Sequence, residues 1–136
     1  MRGALGTGSG DGRSTRERGR AAEDLAAAWL ERRGVTVLAR NHATRRGEVD
    51  LVCRDGDVIC FVEVRSRSGA SAGSPEETVD RRKALRVVAA ATDWALHHGG
   101  LEQGMRFDVV SVWTGSGEPR VEHFPGAFDA TGGPGL

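Results

Sequence analysis

Apolar and polar residues alternate with period two along Gly47–Val52 and again along Phe61–Arg65, on either side of an Asp55-Gly56-Asp57 turn signal. This pattern predicts a β-hairpin. Upstream, Ala22, Leu25, Ala26, Trp29 and Arg33 recur at helical spacing, with Ser14 and Glu17 forming a capping box at the start and Gly34 at the end. Val35–Ala39 reads as a strand that leads into the hairpin. Ala84, Val87, Val88, Ala91, Trp94, Ala95 and His98 predict the apolar face of a second helix ending at Gly99-Gly100. That helix begins either at Ser74-Pro75-Glu76-Glu77 or later, behind an Asp80 cap. Met105–Trp113 and the short Arg120–Phe124 stretch complete the set as strands. A helix, two or three strands, a helix and two strands argue for an α/β domain with a mixed central sheet flanked by helices.

The hairpin carries carboxylates among apolar residues, and buried carboxylates are costly unless a positive partner offsets them. Glu48 and Asp50 alternate with Val49 and Leu51, and Glu63 sits between Val62 and Val64. A two-residue loop at Asp55-Gly56 opposes Glu48 to Glu63 and Asp50 to Phe61. A loop at Gly56-Asp57 instead opposes Asp50 to Glu63. Either register places Glu48, Asp50, Glu63 and Arg65 on one face, whereas a three-residue loop separates them. Directly opposed side chains have Cβ atoms roughly 4.5–5.5 Å apart, close enough to share a hard divalent cation. Mg²⁺ or Mn²⁺ is therefore the expected cofactor, and phosphodiester hydrolysis the chemistry it suits.

The chain has 136 residues, with 19 acidic and 19 basic side chains in balance, so no overall basic field points to nucleic acid. Phosphate contacts must come from local clusters: Arg40 with Arg45 and Arg46, Arg67 after the hairpin, and Arg81, Arg82 and Lys83 with Arg86 on the second helix. A solvated loop or helix face is the competing account of each. Lys83 is the only lysine, so arginine at any other basic position also follows the chain's own bias. The expected organisation is a disordered tail over 1–13, one domain over 14–128 and a flexible tail over 129–136. With no membrane-spanning run and no signal-peptide core, a soluble cytoplasmic protein is expected. Cys53 and Cys60 are opposite in parity to Asp50 and Glu63 and are expected on the other face as small buried residues, a cross-strand disulfide being the alternative. The histidines show no metal-ligand spacing, and Trp29, Trp94 and Trp113 are expected in the core rather than stacked on bases.

Several motifs occur together: Gly19-Arg20-Ala21-Ala22-Glu23, Arg40-Asn41, the run from Gly47 to Val52, the strand from Phe61 to Arg67, Gly73-Ser74-Pro75-Glu76-Glu77, and Arg106-Phe107-Asp108-Val109-Val110. From about Arg16 to about Phe128 the chain resembles the YraN-type family, which is assigned to the PD-(D/E)XK nuclease superfamily and related in fold to archaeal Holliday-junction resolvases. The resemblance implies a restriction-endonuclease-like core. It implies that Asp50 and Glu63 are the two motif acids, that Glu23 is the helix glutamate completing the site, and that Arg65 stands where the superfamily usually has lysine. It further implies that Asp50, Glu63 and the Val64 carbonyl hold the metal with Glu48 beside them, that DNA is the partner, and that a junction-cleaving form is a homodimer. Arg65 departs from the pattern: always protonated, it cannot act as a general base, but it can hold a phosphate. Asp108 is expected to make a structural hydrogen bond or ion pair.

Three functions therefore compete. The first is a metal-dependent endonuclease acting on DNA, including branched or damaged DNA. The second is a non-catalytic nucleic-acid-binding module with a nuclease-like fold, which binds DNA in a salt-dependent way without needing Asp50. The third is an interaction domain whose carboxylates merely pair with arginines and which binds neither metal nor DNA.

Overall fold

A computed structural model describes residues 15–68, 79–99, 104–115 and 117–135. Its elements are α1 (Thr15–Arg32), β1 (Thr36–Ala43), β2 (Glu48–Asp55), β3 (Val58–Ser68), α2 (Arg81–His98), β4 (Gly104–Thr114) and β5 (Arg120–Phe128). The strands form one five-stranded sheet in the order β1-β2-β3-β4-β5. Neighbours are antiparallel except β3 and β4, which run parallel across the crossover that contains α2. The result is an α/β fold with a mixed sheet flanked by two helices, consistent with a restriction-endonuclease-like core. The expected tail over 1–13, Ser14 of the capping box and the Ser74–Glu77 motif lie outside the described residues.

Each helix covers one face of the sheet. On the α1 side, Ala22, Ala26, Ala27 and Leu30 pack on Leu51, Cys53, Cys60, Val62, Val110 and Val112. On the α2 side, Ala84, Val87, Ala90, Ala91 and Trp94 pack on Val52, Ile59, Phe61, Phe107 and Val109. β4 is buried continuously from Phe107 to Trp113 because both of its faces are covered. Neither helix is long and apolar enough to cross a membrane.

The α1 stripe keeps Ala22 and Ala26 of the one expected and differs at its other positions. Ala26, Ala27 and Leu30 are buried, whereas Leu25 and Trp29 are only half-buried, and Arg33 is exposed with its guanidinium 3.6 Å above the Trp29 ring. Alanines bring the helix axis close to the sheet, and the larger side chains are turned to its margin. α1 stops as Gly34 predicts. Gly34, at φ 89, donates to Glu31 O, and Val35 N reaches back to Leu30 O, satisfying two terminal carbonyls of the helix. For α2 the later start is realised: Asp80 caps it by accepting from Arg82 N, and Gly99 ends it at φ 71.

Of the two hairpin registers, the one with Gly56-Asp57 as the loop is observed: Asp55 pairs with Val58 and Cys53 with Cys60. Gly56, at φ 62, supplies the left-handed first loop position that suits the twist of the strands. Cys53 and Cys60 are both buried free thiols on the α1 side, and burial pushes each up to about 12. Residues 129–135, assigned to a tail from composition, form a hydrogen-bonded turn. Asp129 N donates to Gly133 O, and Arg81 Nε donates to Thr131 O, joining the turn to the start of α2.

Gly47, between β1 and β2, lies directly against α2. A Cβ built there would stand 1.8 Å from Arg86 O, a backbone atom that cannot step aside. Gly47→Ala is therefore expected to push the β1–β2 turn off α2, costing at least the roughly 1–3 kcal/mol typical of overpacking. Denaturant unfolding should show a lower midpoint with an unchanged slope, and an unchanged midpoint would contradict the contact.

Candidate functional site

The sheet forks where the acidic residues lie. β2 and β3 are paired only from Asp55–Val58 to Leu51–Val62, whereas β3 stays paired with β4 as far as Ser68 and β2 stays paired with β1 back to Glu48. Beyond Leu51 and Val62 the two hairpin strands thus follow different neighbours. Asp50 sits in the fork, and its Oδ2 accepts from Val64 N at 2.8 Å, taking the place of a backbone partner. Strict alternation fails at this point: Val49 and Val52 both belong to the α2-side cluster, with Leu51 on the α1 side between them. Parity alone therefore could not fix the direction of Asp50.

A cavity of about 340 Å³ opens at the fork, lined by Glu23 and Gly19 of α1, Glu48 and Asp50 of β2, Glu63, Val64 and Ser66 of β3, and Lys83 and Arg86 of α2. Both helices reach it because they cover opposite faces of the same sheet end. Glu63 is buried, with 5 % exposure, and its Oε2 meets Lys83 Nζ at 2.9 Å. Burial, with the Glu63 charge beside it, pushes Asp50 up to about 7, the Val64 N–H opposing the shift. Glu23 is raised too, chiefly by burial and in part by Glu48, against a hydrogen bond from Asn41. The cavity is a partly desolvated place where negative charge is crowded, and a cation relieves that crowding.

Glu23, Glu48, Asp50, Glu63, Val64 and Lys83 of the expected site thus converge on this cavity. Arg65 is half-buried on β3 and is not among the residues that line the cavity. Arg40 is spent on Asp24 of α1, Nη1 to Oδ1 2.6 Å, at an exposed pair. Arg45 and Arg46 are exposed on the β1–β2 turn, whose Gly47 touches Arg86, so this turn and the basic start of α2 form neighbouring parts of one surface. Arg82 is exposed on that start, Arg81 holds Thr131 O, and Arg67 is half-buried near the end of β3.

Two contributors were named from sequence without a place at the site. Asn41 stands at φ 54, a left-handed position that asparagine tolerates, and from there it bonds Glu23. Arg86, one turn after Lys83, completes the cationic wall; its place in the positive end of the helix was legible, its approach to the acids was not. Asp108 is structural, as expected. It is fully buried and receives Arg106 Nε at 2.9 Å, Arg106 Nη2 at 2.9 Å, His123 Nε2 at 2.8 Å and Gly126 N at 3.0 Å. Among the described residues no group of three or more His, Cys, Asp or Glu side chains is placed to hold a metal ion by itself. A cation in the fork would draw its remaining ligands from backbone, water or substrate.

Comparison with known proteins gives a consistent picture. The family described as Uncharacterised protein family UPF0102 matches residues 22–112, which include the charged residues of the cavity and the central strands. A UPF0102 protein of Anaeromyxobacter dehalogenans (strain 2CP-C) is 67% identical over 135 residues, 99% of this chain and 98% of its own. One from Myxococcus xanthus (strain DK1622) is 47% identical over 116 residues, 85% of this chain and 91% of its own, and one from Pseudomonas aeruginosa (strain LESB58) is 43% identical over 129 residues, 88% and 98%.

Proposed function

The chain belongs to the UPF0102 family, the YraN-type family its motifs resemble, and on that premise we propose that it is a divalent-metal-dependent endonuclease that hydrolyses DNA phosphodiester bonds. The observation that carries this reading is the fork, where Asp50, Glu63 and Val64 meet in one acidic, partly buried cavity. The donors suit a hard cation such as Mg²⁺ or Mn²⁺, which takes one or two protein carboxylates and leaves other positions to water and phosphate oxygens. A residue's N–H and C=O leave a strand on the same side, so the Val64 carbonyl is turned toward Asp50 as its N–H is. Bound there, the cation supplies activation of a water and neutralisation of charge on the phosphate.

The chain's own groups divide the remaining work. Asp50 and Glu63 bind the ion, and Glu48 and Glu23 orient water around it, Glu23 being held by Asn41. Arg65 holds a phosphate at the rim of the fork. Arg45, Arg46, Arg81 and Arg82, with Arg40 and Arg67 flanking, line the approach along which a DNA backbone is aligned. A branched substrate would need two such sites and hence a homodimer.

The test is cleavage of supercoiled plasmid and of a four-way junction with Mn²⁺ or Mg²⁺ by wild type, Asp50→Ala and Glu63→Ala. Wild type alone should cleave, and chelation should stop it. Equal cleavage by all three would reveal a contaminant and defeat the assignment. Arg65 in place of lysine favours a second reading, a binding module without turnover. It predicts a salt-dependent DNA shift that survives Asp50→Ala, with no cleavage under any cation.

A further inference from the structure

We propose that Lys83, on the first turn of α2, is the group that contacts the scissile phosphate in this cleft, so that the catalytic cation comes from the helix and not from residue 65 of the strand. This rests on the endonuclease reading above. Three observations carry it. Lys83 Nζ lies 2.9 Å from Glu63 Oε2, and the Lys83 side chain is 55% exposed against 7% for Glu63, so the ammonium enters the cleft from its open side. Arg65, the next residue of like parity on the Glu63 strand, is absent from the cavity wall, whereas Lys83 is part of it. Lys83 is also the only lysine in a chain whose other basic side chains are all arginine.

The chemistry distinguishes the two residue types at this position. A guanidinium fork pairs with a carboxylate through two parallel bonds and would occupy both oxygens of Glu63. An ammonium is a compact charge with three donors on a flexible stem, so it holds one oxygen and has donors left for another acceptor. In the free protein Lys83 neutralises Glu63. With Glu63 serving as a metal ligand, Lys83 would be released to a non-bridging phosphate oxygen, where negative charge builds in the transition state.

A single lysine makes the contact directly observable, because lysine labelled with ¹³C and ¹⁵N gives one Cε–Nζ signal. With Ca²⁺ present to hold turnover off, a short DNA duplex should shift that signal, and the shift should persist in Glu63→Gln. In Mn²⁺ assays Lys83→Gln should lower kcat by about 10²-fold, with a smaller effect on KM and none on Mn²⁺ affinity, since the contact strengthens as charge builds in the transition state. A signal unmoved by duplex, or a Lys83→Gln protein with wild-type kcat, would overturn the assignment. So would loss of Mn²⁺ affinity in parallel with kcat, which would confine Lys83 to holding Glu63. Should wild type cleave nothing while the signal still moves with duplex, the endonuclease reading falls and the phosphate contact stands. Cleavage with an unmoved signal sinks the Lys83 assignment alone.

Discussion

Asp108→Ala is expected to lower the stability of the fold by about 3–5 kcal/mol, the cost of removing one partner from a buried ion pair. Asp108 is fully buried beneath donors from Arg106, His123 and Gly126, and Arg106 also reaches Asp55 Oδ2 at 3.1 Å beside the hairpin turn. Its removal leaves the Arg106 guanidinium with Asp55 alone and the Gly126 N–H without its acceptor, in a network that ties β4 to β5 and to the hairpin. Against a total of about 5–15 kcal/mol for a domain, this is a large fraction. Thermal unfolding at pH 7 should show a midpoint lower by on the order of 10 °C or more. The same carboxylate sets an acid limit. Burial alone would raise it, but hydrogen bonds from His123, Arg106 and Gly126 more than reverse that, so it lies below the usual carboxylate range. Its stabilisation is present above the unfolded-state value near 4 and is lost as pH falls through the lower folded value. Asp108→Ala should therefore flatten the acid limb of the stability profile as well as lower the plateau.

Asp50→Asn is expected to do the opposite to stability while removing most of the proposed cleavage. Burial and the neighbouring Glu63 raise the folded Asp50 to about 7 from an ordinary 3.8. A carboxylate raised on folding favours the folded state while it is protonated. The penalty for ionising it therefore grows from about pH 4 and levels off above pH 7. At about 1.4 kcal/mol per pKa unit the penalty at pH 8 is on the order of a few kcal/mol. Asparagine can still accept from Val64 N but carries no charge. With metal chelated, the variant should thus exceed wild type in denaturant midpoint at pH 8, with the gain shrinking toward pH 5. Its cleavage rate should fall by at least about 10²-fold, as expected when several kcal/mol of transition-state stabilisation are lost. Equal midpoints at both pH values would mean that Asp50 is not held against its charge.

The sites of these two opposite effects were not equally legible. The Asp50 and Glu63 strands were, because period-two alternation bounded by Asp-Gly is a local signal. Both registers remained open until the left-handed Gly56 fixed the loop at Gly56-Asp57. The end of α1 was readable from Gly34 alone. Its buried stripe was readable in part: Ala22 and Ala26 are buried as the spacing predicts, but hydrophobicity favours Leu25 and Trp29 where close approach to the sheet favours Ala27. β1 extends through Arg40, Asn41 and His42 to Ala43, beyond the apolar run, because an edge strand needs a pairing partner more than apolar side chains.

Within the cavity, sequence located the hairpin acids, since they lie on adjacent strands. It could not show that α2 lays Lys83 across Glu63, because that contact joins residues separated by a crossover. Nor could it show Asn41 holding Glu23, or residues 129–135 turning back onto Arg81. Strand parity assigns Arg65 to the face of Glu63, and it is not among the residues that line the cavity.

Titration calorimetry with Mn²⁺ tests the shared-cation claim most directly, because it needs no substrate. Wild type should bind one ion per chain, and Asp50→Asn and Glu63→Gln should each lose that binding while Glu122→Gln, on the far strand, retains it. A wild-type protein that gives no binding heat, or Asp50 and Glu63 variants that bind as wild type does, would contradict a metal centre at the fork.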